Sequence, residues 1–383
     1  MSDRRASSAR AITWAARRAL PSLLSVALAL TVCFVAIGIS RADFSVAAEA
    51  FQQMTWGGLG DFPGFFRDRS WALLTRPWGE STTKAALLVF TGLSVSVAFC
   101  VGLFNIGAQG QMTLGAITAA VLGAYLPLPR GIHPFACVIG AAVAGSAYAL
   151  LPTFLKLWRG VHEVISTIML NWIAVSLVEN WLVVGPLRAS ASGDLSRSGT
   201  QEILSSAELP RLLGGLSRLN AGFPLAVAAV LVVWLWLSRS GNGFEVRAVG
   251  LGSEAARTAG IAVHRRTYQA MAIAGALAGV AGGVWVLGTE HKFPATLGSP
   301  YGFDGIAIAL IGQNHPLGVG AAALFFGILR AGGTRMQLLG VHKSFPELIQ
   351  GLALLFVAGK MIWERLLIRS QRRAMPSAEA PRA

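Results

Sequence analysis

Apolar residues run through this chain in blocks of about twenty, separated by polar or basic stretches. An α-helix needs about 20 apolar residues to cross the hydrocarbon of a bilayer. On that length the pattern predicts spans over 20–39, 84–103, 106–126, 133–155, 164–184, 220–238, 267–288 and 345–364. Two shorter apolar segments, 303–314 and 316–331, are broken at Asn314, His315 and Pro316. With both counted as crossings, the total is ten. The expected fold class is an all-α, polytopic transmembrane helix bundle.

Charge patterning orients the bundle. Arg4, Arg5, Arg10, Arg17 and Arg18 precede the first span, and Arg365, Arg369, Arg372 and Arg373 follow the last. Basic residues gather on the cytoplasmic side of membrane proteins. Ten crossings put both termini there, whereas nine would leave the basic tail outside. The organisation that follows is a basic cytoplasmic N-terminus over 1–19 and an uncleaved first transmembrane helix over 20–39. An extracytoplasmic loop over 40–83 carries Trp56, Trp71 and Trp78. The transmembrane domain covers 84–364, and a basic cytoplasmic tail covers 365–383. Residues 185–219 form a second outer loop, and 239–266 an arginine-rich cytoplasmic one.

Composition agrees with this class. Of 383 residues, 54% are hydrophobic and only 13% charged; a soluble chain carries about 25% charged residues. The net charge of +14 sits at span ends, which explains it without nucleic acid. Cys33, Cys100 and Cys137 lie in apolar spans and lack metal-site spacing. No phosphate-binding G-x-x-x-x-G-K-[ST] loop, no HExxH and no GxSxG occurs. Hence no catalytic residue, no metal site and no bound cofactor is expected.

Four segments carry candidate chemistry. Asn105-Ile-Gly-Ala-Gln-Gly-Gln-Met-Thr-Leu-Gly-Ala116 puts Asn105, Gln109 and Gln111 at the mouth of an apolar helix. Non-helical backbone at membrane depth survives only inside protein or beside a water-filled cavity. Uncharged amides there suit a neutral polar solute in a translocation pathway; they also suit bonding between packed helices. Glu163, Asn171 and Glu179 recur at a spacing of eight, near one helical face, and Asn171 joins the pathway set. In Gly302-Phe-Asp-Gly-Ile, Asp304 is expected to cap a short helix over 305–312. In the loop Arg247-Ala-Val-Gly-Leu-Gly-Ser-Glu-Ala-Ala-Arg-Thr-Ala-Gly-Ile261, Ser253 is expected as N-cap and Gly260 as the stop of a helix of about two turns.

That loop resembles the cytoplasmic coupling loop of ABC importer permeases for simple sugars and nucleosides, the ribose- and nucleoside-type, branched-chain-like group. The segments 105–116, 162–171 (H-E-V-I-S-T-I-M-L-N), 302–318 and 346–358 agree in order. The forms at 105–116 and 162–171 are similar to nucleoside permeases in particular. The resemblance implies a type II importer fold like that of the cobalamin permease. It also implies a second permease subunit, homologous or identical, a separate ABC ATPase subunit and an extracytoplasmic substrate-binding protein. It assigns coupling to the ATPase to Ser253, Glu254, Ala255, Ala256, Arg257 and Gly260, although this chain has Gly252-Ser253 where relatives commonly have Asn-Pro. The expected function is the membrane-spanning subunit of an ATP-driven importer for nucleosides or simple sugars in a bacterial inner membrane. The rival is a stand-alone secondary transporter or channel for a small polar solute, which would want several buried acids.

Overall fold

The computed structural model describes residues 2–189, 199–295, 300–342 and 344–359. The predicted tail over 365–383 lies outside them. Among the described residues the regular structure is helical, apart from isolated bridges such as Arg188 with Thr200 and Gly199 with Pro294. The helices are α1 (Ser2–Arg41), α2 (Phe44–Leu59), α3 (Phe62–Asp68), α4 (Ala72–Cys100), α5 (Ala108–Tyr125), α6 (Ile132–Arg159), α7 (Glu163–Ser176), α8 (Gly222–Arg239), α9 (Gly241–Leu251), α10 (Ser253–Thr258), α11 (Val263–Trp285), α12 (Tyr301–Ile311), α13 (Pro316–Met336) and α14 (Phe345–Ala358). A π-helical turn prolongs α7 over Leu177–Leu182, and another prolongs α11 over Val286–Glu290.

Seven of these segments are long and apolar enough to cross a membrane: Ser22–Arg41, Ala72–Cys100, Ile132–Arg159, Glu163–Leu182, Gly222–Arg239, Val263–Glu290 and Pro316–Leu339. A membrane helix bundle is therefore the fold class. Three predicted elements change. The stretch 40–83 is mostly helical, and α4 starts at Ala72 rather than 84. The helix-forming run Ala47-Ala-Glu-Ala-Phe-Gln-Gln-Met54 favours α2 locally. Tertiary contact completes it: a Cβ on Gly57 would stand 2.9 Å from the Cα of Gly332, so α2 lies directly on α13. The segment predicted as a short piece over 316–331 is a full-length helix of 24 residues with its last 3-10 turn. Among the described residues α12, eleven residues long, remains short, and α14, predicted within a span over 345–364, is described over fourteen.

The described helices fall into two compact units, one from residues 2–47 and 347–359, the other from within 48–346. In the first, Asp43 follows α1 and accepts from the Ser45 hydroxyl and N–H, both at 2.7 Å, at the start of α2. These bonds hold its carboxyl below the usual carboxylate range.

In the second unit α4 and α11 are largely buried. α11 packs on α4, α5 and α6, while α12 and α13 pack on α4. Lipid supplies no hydrophobic drive between helices, so close backbone packing has to do the work. Glycines make it possible here. A Cβ on Gly279 would run into the Ala141 carbonyl of α6, and one on Gly282 into the Met112 carbonyl of α5. Gly279→Leu is expected to lever α11 off α6 and to cost about 3 kcal/mol or more. The readout is a lowered unfolding midpoint in detergent. Gly241→Ala, which would meet nothing within 4 Å, should stay near the wild-type midpoint.

Candidate functional site

The break between α4 and α5 organises the site. α4 stops in a Schellman turn: Gly102 takes φ +82°, its N–H donates to Phe99 at 3.0 Å, and the Leu103 N–H donates to Ala98 at 3.0 Å. The chain then runs irregularly to Gly107 before α5 begins. Asn105 is fully buried and Gln111 is 1% exposed. Their amides pair reciprocally, each donating to the other's carbonyl at 3.0 Å, and Asn105 also donates to Ser94 Oγ at 3.3 Å. Asn171 of α7 closes the break from the other side. Its Oδ1 accepts the Gly110 N–H at 2.7 Å and its Nδ2 donates to the Ile106 carbonyl at 2.6 Å. Gln109 Oε1 accepts the Gly302 N–H at 2.8 Å and so joins α5 to the start of α12. Asn105, Gln109, Gln111 and Asn171 thus assemble around one helix start, and these bonds brace the backbone break. The other two residues of the predicted stripe lie elsewhere along the helix. Glu163 pairs with Lys156 of α6 at 2.6 Å, and Glu179 lies on the π-helical turn.

The predicted loop helix is present as α10, with two differences. Ser253 is its first residue rather than its cap, because Gly252, at φ 178°, occupies the cap position. A preceding helix, α9, is also present, and there Ser240 is the cap, its Oγ accepting the Gly243 N–H at 3.0 Å. Gly260 ends α10 as expected. At φ +82° it donates to Arg257 at 3.0 Å, and the Ile261 N–H donates to Ala256 at 3.0 Å. Ser253, Glu254, Ala255, Arg257 and Gly260 are exposed, while Ala256 is buried. Glu254 and Arg257 lie 3.8 Å apart on the exposed face. The mount is firm: Glu245 of α9 pairs with Arg266 of α11 at 2.6 Å. A Cβ on Gly250 would strike the Cys100 carbonyl, so α9 rests on the same turn that opens the amide site.

α10 is thus an exposed helix of one and a half turns held between α9 and α11. Residues 79–358, from α4 to α14, match the family described as branched-chain amino acid transport system / permease component. The chain belongs to this permease family. It is 36% identical to the guanosine ABC transporter permease protein NupP of Bacillus subtilis, over 73% of this chain and 80% of that one. It is 33% identical to the nucleoside ABC transporter permease protein NupB of Lactococcus lactis, over 80% and 85% of the two chains. The glucose ABC transporter permease protein TsgB13 of Haloferax volcanii is also 33% identical, over 76% and 79%. The protein is a multi-pass membrane permease subunit of an ABC transporter.

The permease holds a second polar cluster that sequence reasoning missed. Asp304 does not cap α12, whose cap position is Pro300; it lies in the first turn and pairs with Arg330 of α13 at 2.6 Å. The side chains are 14% and 9% exposed. The Arg330 guanidinium stands 5.0 Å over the Tyr301 ring, and the Arg330 carbonyl accepts from Lys84 Nζ of α4 at 3.1 Å. The available signal was Arg330 itself, a charged residue within an apolar helix, which marks function by default. Ending the predicted segment at 331 made it look like a span end.

The amide site generates a stability test. Asn171→Leu leaves the Gly110 N–H and the Ile106 carbonyl without their partner. A buried unsatisfied group costs about 1–3 kcal/mol, so thermal unfolding in detergent is expected to fall by an amount matching two such groups.

Proposed function

We propose that this permease is the membrane-spanning subunit of an ATP-driven importer whose solute is a nucleoside, with simple sugars as the neighbouring class. The reading is carried by α10, an exposed helix mounted by Glu245–Arg266 and leading through Gly250 to the turn beside the amide cluster. Ser253, Glu254, Ala255, Ala256, Arg257 and Gly260 form the contact with a separate ATPase. That subunit binds ATP; this chain supplies differential contacts in two states and no bond chemistry. A second permease subunit completes the pathway, and an extracytoplasmic binding protein delivers the solute.

Ten membrane-embedded helices, α1, α4 to α8 and α11 to α14, make up the transmembrane part in a type II importer arrangement, with both termini and α9–α10 on the cytoplasmic side of a bacterial inner membrane. The arginines before the first span and around α9–α11 support this orientation. Asn105, Gln109, Gln111 and Asn171 frame the pathway. In the conformation described they hold the helix break, and exchange of some of these bonds for a solute's hydroxyl or amide groups accompanies passage. The names of the guanosine, nucleoside and glucose relatives support the solute class.

The test is uptake by proteoliposomes carrying the whole complex with its binding protein. Guanosine is expected to accumulate only with ATP inside, and a nucleoside panel should compete better than glucose. Reversing both charges, Glu254→Arg with Arg257→Glu, is expected to lower coupled uptake about tenfold and to reduce co-purification of the ATPase. Normal uptake with normal ATPase binding would remove α10 from the coupling contact.

A further inference from the structure

We propose that the Asp304–Arg330 pair is a charge latch that positions the half-helix α12 and opens during the transport cycle. The proposal rests on the transport reading above.

The geometry of α12 makes it movable. At 1.5 Å per residue its eleven residues span about 16 Å, roughly half the hydrocarbon thickness. Its far end turns into α13 through Gln313 and Asn314, both at φ 55°, a region that residues other than glycine seldom occupy. The break there is held by a bond from Ser96 Oγ of α4 to the Asn314 carbonyl at 2.8 Å. That end is a hinge with a defined bend.

Along its length α12 meets α4 and α5 through small residues. A Cβ on Gly305 would stand 2.7 Å from the Thr91 backbone, and one on Gly302 would strike the Gln109 backbone. Further along, Ile308 seats its side chain over Gly92 of α4, so α12 interlocks there while its start meets its neighbours through glycine. Directional ties at the start of α12 include the bond from the Gly302 N–H to Gln109 and the Asp304–Arg330 pair. The pair reaches further than α12 and α13. Arg330 covers Tyr301, and its carbonyl takes the Lys84 ammonium of α4. Opening the latch would therefore free the start of α12 from α13 while the hinge keeps the far end attached.

Two buried opposite charges are a poor choice for static packing. α12 and α13 are already joined by four residues, and apolar side chains of similar size would hold them at lower desolvation cost. A pair that must form and separate has a different requirement: strong attraction at short range, with each partner able to find water or solute polar groups when apart.

The experiment uses the assembled complex in proteoliposomes, with uptake and ATP hydrolysis measured together. Asp304→Asn combined with Arg330→Met removes both charges without stranding either one. This variant is expected to assemble, to take up solute about tenfold more slowly, and to hydrolyse ATP severalfold faster in the absence of solute. Arg330→Lys, which keeps the charge but not the guanidinium fork, should fall between the two. Uptake and hydrolysis of the neutral pair within about twofold of wild type would reduce the pair to packing and overturn the proposal. Failure of both variants to assemble would make the pair a folding element, and would overturn it equally. Absence of ATP-driven uptake in the wild-type complex would count against the transport reading itself, not against the latch.

Discussion

Water is absent from the centre of a bilayer, so every backbone group freed by a broken helix has to find a partner within the protein. This permease breaks its helices at 101–107 and at 312–315, and both breaks are closed by side chains from other helices. Asn171 of α7 supplies a donor and an acceptor to the first, with the Asn105–Gln111 pair beneath it. Ser96 of α4 supplies a donor to the second. Gln109 links the two regions by accepting from Gly302. Buried amides and a hydroxyl are thus placed where regular backbone bonding stops.

The same demand connects the site to the surface helix. The Schellman turn that ends α4 has no room for a side chain on Gly250, so α9 sits directly on it. α9 is tied to α11 by Glu245 and Arg266, and α11 meets α5 and α6 through glycines at backbone distance. α10 is thus joined to the α4–α5 break through closely packed helices.

Glycine and charge divide the labour. Glycines at Gly115, Gly145, Gly275 and Gly279 bring α5, α6 and α11 together on dispersion alone. Around α12 the glycines are joined by charge, with Lys84, Asp304 and Arg330 in one cluster. A buried pair costs desolvation that only good geometry offsets, and removing one partner costs about 3–5 kcal/mol. The pair sets the α12 region apart from the glycine-packed α5, α6 and α11.

The fold class and most of the helices were legible along the chain. Twenty-residue apolar blocks have one economical solution in lipid, and amides at a glycine-rich helix mouth identify a break whatever the neighbours are. Gly260 was legible as a stop because the αL region is local chemistry. How the amides pair depends on the three-dimensional packing, because Asn105 and Gln111 are brought opposite each other by the shape of the break, while Asn171 arrives from a helix sixty residues away. That 40–83 is largely helical depends on packing too, since the contact of Gly57 with α13 cannot be seen locally. Asp304 looked like a cap because a short acidic side chain before an apolar run usually is one. Its partner, Arg330, is 26 residues distant in sequence, and no local rule relates a carboxylate on a half-helix to a guanidinium two turns from the end of the next.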